Sequence, residues 1–363
     1  MDVWADVLGR PAFADAELAA MKGRVVAAIE SQDAEWTGQA FRFFRKAYFG
    51  PRNVPYQFDP KGTPQNVASF SAEQLRDWYR TKVLAAPRVL AIYGDVTPDE
   101  ARAMATKALA SAGVPKVAVP AAATFPPPPD VSIAIDPMAD VVRVELNKTE
   151  QALAGVVIGY EADSVYGQPR AAVVDVADTL TSGYGYPTGY LHETLRGRGL
   201  VYTVHGQNFP GRDPSLPGTF FVMAGCEPAK VDEVVDAILE NVARLQADDS
   251  AINADWFARA KQLIPIEEAM NTQTPSDQAE QAALAELYGV GHAWPTTLGE
   301  RVAAVTIPDV RQLAQARLRR CVVTVSTPRP DLVKVATGPR QYQAFPPIDL
   351  TPRGVQHEAP AQP

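Results

Sequence analysis

This 363-residue chain is poor in the residues that most metal and redox chemistry uses, with four histidines and two cysteines. Two cysteines exclude a disulfide framework by count. Cys226 ends the run FFVMAGC and Cys321 begins CVVTV, so each reads as a small buried hydrophobe. No stretch approaches the roughly 18–20 apolar residues of a membrane span. The opening residues MDVWADVLGRPAF have neither a basic n-region nor an apolar h-region, so they do not form a secretory signal. Lys and Arg total 34 against 42 Asp and Glu, a net charge of −8 with no basic run, which argues against a nucleic-acid footprint.

What is present is ordinary globular material: 46% hydrophobic and 21% charged residues, on a chain long enough for two domains. A helix is expected after Pro11, with its apolar face at Leu18, Met21, Val25, Ala28 and Ile29. A second, through Phe41, Phe44, Ala47 and Tyr48, stops at Gly50 and Pro51. After a turn-rich stretch to Ser69, Ser71 and Gln74 form a capping box that opens a helix through Tyr79 to Val83. Val89–Tyr93 reads as a short buried strand, and Thr97 with Pro98 starts another helix.

Residues 113–130 are rich in proline and alanine, with Pro126 to Pro129 in a row, and read as a semi-rigid linker. They divide a first unit, 1–112, from a second, 131–330. The second has strands expected near 141–146, 152–160, 201–206, 219–224 and 322–326. Its helices are expected near 171–180, 188–196, 228–247, 252–270, 276–289 and 308–318. The tail, 331–363, loses periodicity from Gly338 and reads as loose.

The two units align. VASFSAEQLRDWYRTKV from Val67 can be laid on VAAVTIPDVRQLAQARL from Val302, pairing cap Ser71 with cap Thr306, and each segment precedes a short apolar run. Leu18–Lys22 likewise lies on Phe257–Lys261, at nearly the same offset. Two collinear matches favour duplication. On that reading the first copy lacks about a hundred residues of strands and helix at its start. The chain is then expected to be a fragment, or one whose true start lies upstream.

A hydrolytic zinc site usually takes two histidines a helical turn apart and a carboxylate. His192 and Glu193 begin like HExxH, but Arg196 stands where the second histidine is needed, and His205, His292 and His357 make no pair with ligand spacing. The glycine-rich GYGYPTG, 183–189, lacks both the third glycine of a dinucleotide loop and the Gly-Lys of a phosphate loop, and reads as a turn between helices. Ser182 lacks the G-x-S-x-G context of a nucleophile elbow. Arg196 and Tyr202 flank a helix-to-strand turn. There arginine commonly offsets the helix dipole and tyrosine commonly packs.

Four segments together resemble the pitrilysin/insulinase family of metallopeptidases, which includes mitochondrial processing peptidase and the core subunits of the respiratory bc1 complex. They are LGRPAF with ELAAMKGRVVAAI, LRDWYRTKVLAAPRVLAIYGDV, KTEQALAGVVIGY and TSGYGYPTGYLHETLRGRGLVYTV. The resemblance implies an α+β fold of repeated metallopeptidase-like domains, each a mixed or antiparallel sheet covered by helices. The first repeat here would be incomplete and the second complete.

The family's zinc is held by an inverted His-x-x-Glu-His and by a glutamate on a later helix. The first element has no counterpart here. On the later helix Ala28 occupies the glutamate position and Met21 an earlier acidic one. The resemblance therefore implies zinc for the family, with no catalytic residue, metal ligand or cofactor in this chain. It also implies that Arg196 and Tyr202 contact substrate, though they stand six residues apart where the common family pattern has seven.

The function implied is a non-catalytic portion or subunit that helps close a peptide-binding chamber, with strand edges available to peptide backbone. Its partners would be a peptide or unfolded segment and an upstream catalytic domain or separate catalytic subunit. A structural subunit like the bc1 core proteins, or a shortened form of an active peptidase, are the alternatives. The chain is expected to be soluble, and an upstream start is compatible with a periplasmic or secreted parent.

Overall fold

The computed structural model describes residues 1–115, 117, 140–163, 170–183, 188–212, 216 and 218–339. The first unit supplies helices α1 (Asp2–Gly9), α2 (Asp15–Ala34), α3 (Trp36–Phe49), α4 (Pro64–Ser69), α5 (Ala72–Trp78) and α6 (Pro98–Ala112). The second supplies strands β1 (Asp140–Lys148), β2 (Ala154–Ala162), β3 (Thr203–Phe209), β4 (Gly218–Cys226), β5 (Arg320–Thr327) and β6 (Gly338–Pro339). Between them lie α7 (Ala171–Ser182), α8 (Val231–Arg244), α9 (Ala254–Asn271), α10 (Pro275–Leu287), α11 (Leu298–Ala304) and α12 (Ile307–Arg317). The α+β class expected from the sequence is the one observed.

The strands form one mixed sheet in the order β3-β4-β2-β5-β1-β6, antiparallel throughout except that β1 runs parallel to β5. One face carries the larger core. Val156 and Ile158 of β2 with Val323 and Val325 of β5 pack under Leu239 and Val242 of α8, Ile264 of α9 and Val310 of α12. These side chains are almost wholly removed from water, and that burial is the main driving force for the layer. Cys226 and Cys321 are buried and free, as their apolar runs suggest, and burial pushes both thiols up to about 12.

The opposite face is covered by α3 of the first unit. Ala40, Phe44, Tyr48 and Phe49 pack on Val157 and Phe221. The helix comes this close because the strands beneath it carry glycine. A Cβ at Gly159 would stand 2.5 Å from the Phe44 ring, and Gly155 is paired with Gly225 across β2 and β4 under the Trp36 ring. Tyr48 donates its hydroxyl to the Tyr160 carbonyl at 2.9 Å, and Gln151 donates to the Ala34 carbonyl at 2.9 Å.

Local signals held where their cause is local. Both expected caps form: Ser71 with Gln74, and Thr97 with Glu100, each side chain satisfying the other's backbone N–H. Two readings change. Val89–Tyr93 is not a strand, because no other strand of residues 1–112 is present to pair with it, and Tyr93 is 46% exposed. The helix expected over 188–196 is instead a short helical start at Tyr190 followed by a π-turn, His192–Arg196. The proline-rich linker lies outside the described residues beyond Pro115, apart from Val117, as does the tail beyond Pro339.

Candidate functional site

Met21 and Ala28, at the family's acidic and ligand positions, are both exposed on α2, and neither offers zinc a lone pair of the required kind. Glu30 is exposed on the same helix. Among the described residues no group of three or more His, Cys, Asp or Glu side chains is placed to hold a metal ion. The residues present do not fit the family's zinc.

Arg196 and Tyr202 stand on either side of the turn that leads from the π-turn into β3. Leu195 is buried and anchors the turn, and its carbonyl accepts from the Leu200 N–H at 2.9 Å. Gly199 takes the left-handed conformation (φ 68°) that reverses the chain. The Tyr202 N–H donates to the Gly225 carbonyl at 2.9 Å, which fixes the backbone while leaving the phenol 60% exposed. Arg196 is also exposed, and its guanidinium makes no hydrogen bond or ion pair with the described residues. Its charge is felt by His192, whose pKa is lowered first by burial, then by Arg196, and also by nearby His205. Burial likewise lowers His205.

The expectation of strand edges open to a peptide does not hold at β3. Its outward-facing backbone is occupied by side chains. Ser182 Oγ lies 3.0 Å from the Gly206 carbonyl, and the Asn208 N–H donates to Asp178 at 3.3 Å. At the other side of the sheet, β1 carries a bulge between Val141 and Arg143, and charged residues follow it. Covering, bulges and charge are ways in which proteins block edge-to-edge pairing.

Ser182 and Asp178 form the least anticipated part of this region. Ser182 Oγ is 2.5 Å from Asp178 Oδ1, and its one hydroxyl proton faces three acceptors, the other two being the Asp178 and Gly206 carbonyls. Asp178 is pushed up to about 6, mainly by burial, against the pull of Ser182 and the Asn208 N–H. Asp175, one turn earlier, is pushed up to about 7 by burial and then by Asp178. The only hint in the sequence is two acids three residues apart on an otherwise apolar helix. Of the remaining candidates, His292 lies exposed beside Glu286 at 3.3 Å, and His357 and residues 184–187 of the glycine-rich turn are outside the described residues. Gly183 and Gly189, which bound that turn, both have positive φ.

A mixed sheet with helices on both faces, α3 covering one of them, defines a layered α+β protein. The family described as peptidase M16 inactive domain matches residues 69–264, and the chain belongs to that family. The search among curated proteins finds no match. Among solved structures, a peptidase M16 inactive domain from Pseudomonas fluorescens superposes with a TM-score of 0.71 at 17% identity, over 92% of this chain and 75% of that one. A protease from Helicobacter pylori gives 0.71 at 15% identity, over 90% and 75%. A chain of complex III from Candida albicans gives 0.63 at 14%, over 91% and 75%. At these identities the likeness is one of fold.

Proposed function

We propose that this chain is a non-catalytic unit of an M16-type peptidase, forming one wall of a peptide-binding chamber whose catalytic site is supplied by another domain or subunit. Membership of the inactive-domain family gives the non-catalytic part. The observation that carries the rest is the exposed Arg196 and Tyr202, held on a fixed turn with polar groups directed to solvent. Donors fixed in place before a ligand arrives bind an extended backbone at lower entropic cost than mobile ones.

The proposal includes a duplicated origin for the two units. It is supported by a repeated contact: Lys22 donates to the Ala68 carbonyl at 2.9 Å, and its counterpart Lys261 donates to the Ala303 carbonyl at 2.7 Å. The caps Ser71 and Thr306, which align in sequence, each form a complete capping box.

The likeness to a complex III chain favours a second reading, a purely structural subunit without substrate. Changing Arg196 and Tyr202 together to alanine separates the two. Loss of peptide turnover in the assembled peptidase with unchanged stability supports the chamber, whereas loss of assembly with no effect on peptide supports the structural subunit.

A further inference from the structure

A cavity of about 330 Å³ opens between α7, α10 and α11, within the size range of small-ligand pockets. Its walls are apolar and aromatic, among them Val174, Leu284, Trp294 and Leu298. Its charged groups are three acids and one arginine. Asp175 and Glu268 line it, Glu268 accepting from Gln281 of the same wall, while Asp163, also at its border, is already paired with Arg317 at 2.7 Å. A second hollow of about 370 Å³ adjoins it, sharing Asp175, Asn208 and Pro210 and adding Asp178 and Glu267.

The cation of the first cavity, Arg301, is committed elsewhere. It stacks on the Trp294 ring at 3.8 Å and donates to the Trp294 carbonyl at 2.6 Å and to Thr297. Its charge pulls Asp175 down less than burial pushes it up. Glu267 is raised as well, first by burial and then by Glu268. Carboxylates held in this way gain from a positive charge brought among them.

Apolar walls leading to an acidic end match one kind of ligand chemistry: an aliphatic stem that carries a cation. We propose that the joined cavities receive a lysine or arginine side chain of an unfolded peptide, with the stem against Val174, Leu284 and Leu298 and the head between Asp175 and Glu268. The inference rests on the peptide-chamber reading and adds a preference for basic side chains to it. Because the β3 edge is occupied, side-chain capture takes the place of strand pairing as the means of holding the peptide here.

The test uses the full chain and two unstructured fluorescent peptides that differ only in one residue, lysine or its uncharged analogue norleucine. Binding is read by anisotropy for the native chain and for the double variant Asp175→Asn, Glu268→Gln, with melting curves to check that the variant is folded. The expected result is a preference for lysine of about tenfold or more that disappears in the variant, since an unpaired buried charge is costly. Equal binding of both peptides overturns the basic-side-chain site and leaves the chamber standing. Failure of both peptides to bind overturns the chamber. In that case n-butylguanidine, tested alone, assigns the cavity to a free alkyl cation if it raises the melting temperature of the native chain only; if it does not, the cavity proposal falls too.

Discussion

The Tyr48 hydroxyl donates to the Tyr160 carbonyl at 2.9 Å, tying a helix of the first unit to the central strand of the second. Burial pushes that phenol up to about 12, so it remains a donor at any physiological pH. Around it, Phe44 stacks on Tyr48 at 5.2 Å between ring centres and meets Phe221 at 6.1 Å. The first unit is therefore part of the second unit's core.

Removing Phe44 should show this. Phe44→Ala is expected to cost about 3–5 kcal/mol through lost burial and a cavity beneath α3. Tyr48→Phe should cost only about 1 kcal/mol, because the Tyr160 carbonyl keeps a second donor in Thr219 at 3.0 Å. Urea unfolding measures both, and an unchanged midpoint for the Phe44 variant would contradict the seating of α3.

Gly159→Ala tests the same contact from the sheet side. The added methyl would meet the Phe44 ring well inside van der Waals distance, so α3 must shift. A loss of about 1–3 kcal/mol is expected, as for other overpacked cores. Exposed Gly299, where nothing lies within contact of an added Cβ, serves as the control and should tolerate alanine.

The double variant Arg196→Ala, Tyr202→Ala should leave stability within about 0.5 kcal/mol, as exposed substitutions do. In the assembled peptidase kcat/KM should fall about tenfold or more through lost hydrogen bonds to substrate. An unfolded variant would mean that the pair holds the turn instead.

Stability should depend on pH through Asp175 and Asp178. Both carboxyls are held above the ordinary carboxylate range, so the folded chain binds protons more readily than the unfolded one. Their contribution is fully present below the unfolded value of 3.8 and is lost as pH rises through about 6 and about 7. The melting temperature should therefore fall between about pH 4 and about pH 7, and Asp175→Asn should flatten that slope. A slope unaffected by the substitution would place the coupling elsewhere.

Metal removal should be silent. With Met21 and Ala28 at the family's acidic positions, EDTA should leave the melting temperature unchanged, and elemental analysis should find no stoichiometric zinc. A drop of several degrees with EDTA would reveal ligands that these positions do not supply.

Much of the architecture was legible because its causes are local. The capping boxes at Ser71 and Thr97 form from side chains three residues apart, and the strands of the second unit follow from short apolar runs. The π-turn at His192 was not legible, since helical signals there continue to Arg196 and only the packing of Leu195 and the reversal at Gly199 decide how the helix ends. Asp175 and Asp178 read as ordinary helix acids until α9 and β3 close around them.

By itself the sequence determined where helices begin, that both cysteines are packing residues, and that Ala28 cannot bind zinc. Each of these depends on the residue or its near neighbours. Only the tertiary structure decided that Val89–Tyr93 goes unpaired, that α3 covers a sheet more than a hundred residues away, and that the β3 edge is occupied by Asp178 and Ser182. The reason is that a strand's hydrogen bonds and a helix's apolar face are completed by distant segments, and no local pattern names them.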